Sequence, residues 1–137
     1  MRRQVIVDTG PLVALLNRSD KAHAWVLSQM ADIAPPMLTC EAVLAEATYL
    51  TSGLLGARQA LIEMVGENFL HIGFQVQEQH AALLAMVKRY TNVPMSLADA
   101  CLVRLAELYP KSPVFTLDSD FEIYRKNGRH VIERISP

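Results

Sequence analysis

Along the chain, short unbroken apolar runs alternate with longer stretches in which apolar residues recur every three or four positions. The first pattern marks strands buried on both faces and the second marks amphipathic helices. Gln4 to Asp8, centred on Val5-Ile6-Val7, reads as the first strand. Gly10-Pro11 opens a short helix ending near Asn17, because proline in a first helical turn gives up an N–H that has no partner there. Ser19-Asp20 offers a cap for a second helix carrying Ala24, Trp25, Val26, Leu27 and Met30, and Pro35-Pro36 stops it. Met37-Leu38 suffices for a short strand. Thr39 is a good cap for a helix from about Cys40 to Ser52, which Gly53 closes, and a fourth helix follows from Leu54 to Gly66.

Phe69 to Val76 reads as a second long strand, followed by a helix from about Glu78 to Tyr90. Asn92-Val93-Pro94 breaks that pattern. Ser96 caps a helix running through Leu108, and Pro113 to Leu117 is a strand of the same type as the first. Phe121 to Lys126 makes one or two helical turns, Asn127-Gly128 turns the chain, and His130 to Ile135 is a last strand. Strands alternating with helices predict an α/β fold with a short, mostly parallel sheet covered by helices. There is no repeat, low-complexity run or linker, so residues 1–137 read as one domain. Ligands of such sheets sit beyond the carboxyl ends of the strands, where Asp8 and Asp118 both lie.

Composition adds boundaries to this picture. With 51% hydrophobic residues in 137, one core can be filled without disulfides or metals. No apolar run reaches the length of a membrane span, and Met1-Arg2-Arg3-Gln4 leads straight into a strand rather than a signal sequence, so a soluble, cytoplasmic chain is expected. Cys40 and Cys101 sit in apolar segments without zinc-finger spacing and read as buried thiols. His23, His71, His80 and His130 form no close pair. Thirteen basic and fourteen acidic residues leave a formal charge of −1, so any polyanion must be met by local charge.

The acids carry the chemistry. Asp8 alone fits a helix cap as well as a site. On the helix from Cys40, Glu41 lies on a solvated face with Ala45, Thr48 and Ser52, whereas Glu46 is flanked at helical spacing by Ala42, Val43, Tyr49 and Leu50 and is expected on the core side. On the helix from Ser96, Asp99 turns towards Leu102, Val103 and Ala106, although its place in the first turn also suits the helix dipole. The strand Val114-Phe115-Thr116 runs out into Asp118 and Asp120. Carboxylates gathered in one place repel one another unless a cation joins them, and an all-oxygen site suits Mg²⁺ or Mn²⁺.

In their order and spacing, VIVDTGPLVALL, TCEAVLAEATYL, SLADACLVRLAE and VFTLDSDF resemble the PIN-domain ribonucleases, in particular the small VapC-like toxins of prokaryotic toxin–antitoxin pairs. The resemblance covers nearly the whole chain. It implies a three-layer α/β/α sandwich and a catalytic pocket of Asp8, Glu46, Asp99 and Asp118. It also implies Mg²⁺ or Mn²⁺ held by Asp8, Asp99, Asp118 and Asp120, with Asp118 favoured over Asp120 as direct ligand. Thr9 and Thr116 resemble the hydroxyl residues that orient a carboxylate, a water or a phosphate beside such a pocket. The implied reaction is hydrolysis of an RNA phosphodiester that leaves a 5′ phosphate, with Arg125, Lys126 and Arg129 as candidate RNA contacts, joined by Arg134 and Lys88-Arg89.

A homodimer and a small antitoxin are the implied partners, with Trp25, Val26, Leu55, Leu61 and Met64 of the second and fourth helices as candidate contact surfaces. Two rivals remain. One is a PIN-fold module that binds RNA or protein without turnover. The other is an actin-like nucleotide-binding fold, because Asp8-Thr9-Gly10 matches a DxG turn, but no Gly-rich second phosphate loop follows.

Overall fold

The computed structural model describes all residues, Met1–Pro137. Its first strand, β1 (Ile6–Val7), lies at the centre of the molecule, and Val5, Ile6 and Val7 are fully buried. Successive strand residues face opposite ways, so both faces of the sheet are covered at this point. Helices α1 (Thr9–Leu16) and α2 (His23–Met30) follow, then β2 (Met37–Leu38), α3 (Glu41–Leu50) and α4 (Ala57–Gly66). After β3 (Leu70–His71) come α5 (Val76–Arg89), α6 (Leu97–Leu108), β4 (Val114–Phe115) and a short 3₁₀ helix over Ser119–Glu122. The chain ends with β5 (Arg125–Lys126), β6 (His130–Val131) and β7 (Arg134–Ile135).

Five strands form one parallel sheet in the order β3-β2-β1-β4-β7. The chain therefore travels outward from β1 through β2 to β3, then returns across β1 to β4 and β7. In register, Ile6 stands beside Leu38 on one side and Val114 on the other, and Val7 beside Phe115. The connections leave β1 and β4 in opposite directions, which opens a crevice beyond their carboxyl ends. A single cluster of 30 buried hydrophobic residues surrounds the sheet. It includes the free thiols Cys40 and Cys101, buried as expected. This is the α/β architecture that the alternating pattern predicts.

Several elements depart from the sequence expectation in instructive ways. The strand expected over Phe69–Val76 pairs only at Leu70–His71. Its one neighbour, β2, is two residues long, and Phe74 is buried as a packing residue outside the ladder. Thr39 does not cap α3. Its Oγ1 instead donates to the Val7 carbonyl at 2.9 Å, tying β2 to β1, and Cys40 takes the cap position without a side-chain bond. The fourth helix starts at Ala57, after Gly56 adopts a left-handed conformation at φ 78°, so Leu55 lies outside it and is fully exposed.

The segment expected to be helical over Phe121–Lys126 and the single strand expected over His130–Ile135 are both reorganised by one turn. Asn127 and Gly128 have φ of 53° and 77°, the geometry that folds two strands into a tight hairpin. Lys126 thus pairs antiparallel with His130, and Arg125 with Val131. Only Arg134–Ile135 continues into the main sheet. The suggested contact surface on α2 and α4 also needs correction. Val26 and Leu61 are fully buried in the core, and Trp25 packs edge-on against Phe115 with centroids 5.8 Å apart.

Candidate active site

Asp8 sits where β1 gives way to α1, and it both caps the helix and faces the crevice. Its Oδ1 accepts from the Thr9 N–H at 2.7 Å and its Oδ2 from the Thr116 hydroxyl at 2.6 Å. The Thr116 Oγ1 in turn accepts from the Asp118 N–H at 2.9 Å. One threonine thereby binds the end of β1 to the end of β4 across the sheet. Gly10 allows the two ends to close up, since a Cβ placed there would stand 3.2 Å from the Leu117 Cβ.

Asp99 comes from the first turn of α6, where Ser96 Oγ accepts its N–H at 3.0 Å as an N-terminal cap. It is 7% exposed, which matches the inward face expected for it. Its Oδ2 accepts from the Tyr124 hydroxyl at 2.8 Å. Asp118 caps the 3₁₀ turn, its Oδ1 accepting from the Asp120 N–H at 2.9 Å. That turn swings Asp120 back towards its neighbours. Asp99, Asp118 and Asp120 each present an oxygen within 4.8 Å of the other two, so the structure gathers both acids of the last motif.

These carboxylates line an open cleft of about 450 Å³ together with Asp8, Thr9, Gly10, Glu46, Leu50, Pro94, Ser96 and Leu117. Glu46 reaches the cleft, but the expectation that it faces the core is wrong: it is exposed. The buried stripe of α3 is Val43 and Ala47. The apolar neighbours that suggested a core face, Tyr49 and Leu50, are themselves 76% and 54% exposed, and Leu50 lines the cleft.

No basic side chain lines the cleft. Two of the candidate RNA contacts also bond locally. Arg125 donates to the carbonyls of Glu122, Ile123 and Tyr124, and Lys126 to that of Pro110 at 2.8 Å. Arg134 pairs with Glu122 at 3.2 Å. Arg129 is exposed and unpaired beside Gly128, which the Arg89 guanidinium approaches closely from the end of α5.

Burial raises the Asp8 carboxyl from its ordinary value of 3.8 to about 6, against the opposing effect of its hydrogen bonds from Thr116 and Thr9. Asp99 is also raised, first by burial, with the nearby Asp118 charge adding to the shift. Both groups are desolvated acids in want of positive charge.

A family model for the PIN domain matches residues 5–127. The chain belongs to the PIN domain family. Among solved structures, Mycobacterium tuberculosis VapC20, described as a sarcin-ricin loop cleaving toxin, is similar over 87% of this chain and 93% of its own, with a TM-score of 0.77 and 20% identity. No curated protein matches the chain by sequence.

Within this PIN domain the donor set fits a hard divalent cation. It is entirely oxygen, three carboxylates converge, and Asp8 and Asp99 are held against their ordinary ionisation. Thr9 Oγ1 is the one buried side-chain polar atom without a partner, and Thr9 lines the same cleft. A buried hydroxyl left unmatched awaits a water or ion. Sequence reasoning missed Tyr124, the fully buried phenol bound to Asp99. Its only signal was an aromatic pair, Phe121 and Tyr124, three residues apart after the last acids.

Proposed function

We propose that this PIN domain is a divalent-metal-dependent endoribonuclease and the toxin of a type II toxin–antitoxin pair. The observation that carries the reading is the convergence of Asp99, Asp118 and Asp120 beside the desolvated Asp8, at the switch point of a parallel sheet. Asp99, Asp118 and Asp120 would hold Mg²⁺ or Mn²⁺, with Asp8 and Glu46 completing the acidic wall. A cation bound there supplies a water of lowered pKa and positive charge for the phosphate in the transition state. Asp8 would take a proton as water attacks phosphorus in line, Thr116 would orient the Asp8 carboxylate, and Thr9 would orient a water or a phosphate oxygen. The 3′ oxygen departs, leaving a 5′ phosphate. Glu46, exposed at the rim, is free to meet solvent and substrate together.

RNA phosphates beyond the scissile bond would meet Arg129 and Arg89, which lie together at the hairpin turn. Arg125 and Lys126, which also brace the loop through the carbonyls they bond, would add positive charge there. The likeness to VapC20, described as a sarcin-ricin loop cleaving toxin, supports the toxin reading; a protein antitoxin, a homodimer and a cytoplasmic setting belong to the same proposal. No helix is long and apolar enough to cross a membrane.

Labelled RNA incubated with Mn²⁺ tests the reading. Cleavage giving 5′-phosphate ends, lost with EDTA and in Asp99→Asn, is expected. RNA binding without cleavage by either protein would overturn it in favour of a non-catalytic PIN module.

A further inference from the structure

Tyr124 is the largest fully buried side chain in the molecule. It stands at the end of the segment that carries Asp118 and Asp120, and its N–H donates to the Asp120 carbonyl at 3.2 Å. The ring is gripped edge-on by Tyr90 and by Phe121, each with centroids 5.3 Å away. Tyr90 is itself anchored, since its hydroxyl accepts from the Arg125 N–H at 2.8 Å. A ring held on two sides fixes its hydroxyl, and that hydroxyl donates to Asp99 Oδ2 at 2.8 Å.

With the Tyr124 hydroxyl on Oδ2, the Asp99 carboxylate presents an oxygen within 4.8 Å of Asp118 and Asp120. At its other end the residue is pinned by Ser96 through its N–H. We propose that Tyr124 is a positioning residue for the metal site, holding the Asp99 carboxylate by one oxygen so that the other is presented to a divalent cation. This rests on the metal-dependent reading above. One short segment would then supply two acids of the site and fix the third, although α6 and that segment are far apart in sequence. Hydrogen-bond partners that orient a ligating carboxylate are commonly worth 10- to 100-fold in metal affinity.

The rival explanation is that Asp99 merely satisfies a phenol buried for packing. Tyr124→Phe separates the two, because it keeps the ring and removes only the donor. Mn²⁺ dissociation constants would be measured by calorimetry on the full chain for wild type, Tyr124→Phe and Tyr90→Phe, beside thermal midpoints and RNA cleavage. The expected result is a roughly tenfold weaker Mn²⁺ affinity in Tyr124→Phe, a fall in kcat with KM for RNA little changed, and a smaller loss of affinity in Tyr90→Phe, which keeps the edge-on ring contact and removes only its anchor to the Arg125 N–H. Equal affinity in Tyr124→Phe and wild type, or equal losses in both variants, overturns the proposal while leaving the metal reading intact. Absence of Mn²⁺ binding by wild type overturns both. Should Tyr124→Phe fail to fold, Mg²⁺ titration of the wild-type Tyr124 ¹³Cζ resonance decides: a saturable shift supports the role, and an unmoved resonance refutes it.

Discussion

Asp8 shows how a carboxylate is held at a strand end at a cost in stability. Its hydrogen bonds to Thr9 and Thr116 favour the ionised form, yet burial outweighs them and its pKa rises to about 6. The folded state therefore holds this proton more tightly than the unfolded chain does. Stability from this group is fully present below the unfolded value of 3.8 and is lost as pH rises through about 6. In EDTA, the thermal midpoint of wild type should fall across that window, and Asp8→Asn should flatten the slope while abolishing cleavage. A wild-type midpoint that stays level from pH 4 to 7 would refute the assignment. Glu46 teaches the converse point. Apolar residues at helical spacing identify a face, but Leu50, exposed beside Glu46, shows that such a face can be the rim of a cleft.

At the scale of elements, the site depends on how closely β1–α1 approaches the loop after β4. Gly10 leaves room for Leu117, and a methyl group there would meet the Leu117 Cβ at 3.2 Å. Gly10→Ala gains helix propensity of roughly 0.5–1 kcal/mol, so stability should change little. The Asp8 and Asp118 segments should nonetheless be pushed apart, and Mn²⁺ affinity should drop several-fold by calorimetry. The start of α6 is the second such point. Ser96→Ala removes the cap of the helix that carries Asp99, at about 1 kcal/mol. A thermal midpoint lowered by a few degrees, with weaker cleavage even at temperatures where the variant is folded, is the expected outcome. An unchanged midpoint would mean that the cap contributes nothing.

For the whole molecule, the acidic cleft is a charge cluster in a nearly neutral protein. Repulsion among its carboxylates and the desolvation of Asp8 and Asp99 would be relieved together by a cation bound to the folded state. A ligand at a hundred times its dissociation constant stabilises by about 2.7 kcal/mol. Mn²⁺ at that excess should therefore raise the thermal midpoint by several degrees in wild type and leave Asp99→Asn unmoved, as followed by circular dichroism. Equal shifts in both proteins would place the ion elsewhere.

The amino-acid sequence by itself determined the alternation of strands and helices, the two strand ends that carry Asp8 and Asp118, the inward face of Asp99 and the cap at Ser96. Those features depend on neighbours within a turn or two, where apolar spacing and capping chemistry act directly. Asn127-Gly128 belongs to the same local class: the turn was legible in a dipeptide whose two residues tolerate positive φ, although the antiparallel pairing of its flanks was not. The strand lengths were not, because each parallel strand extends only as far as its neighbour pairs with it. Nor were the exposure of Glu46, the diversion of Thr39 to the Val7 carbonyl, the local engagement of Arg125 and Lys126, or the grip of Tyr124 on Asp99. Each of these is a contact between segments remote in the chain, or a choice among partners that only packing supplies.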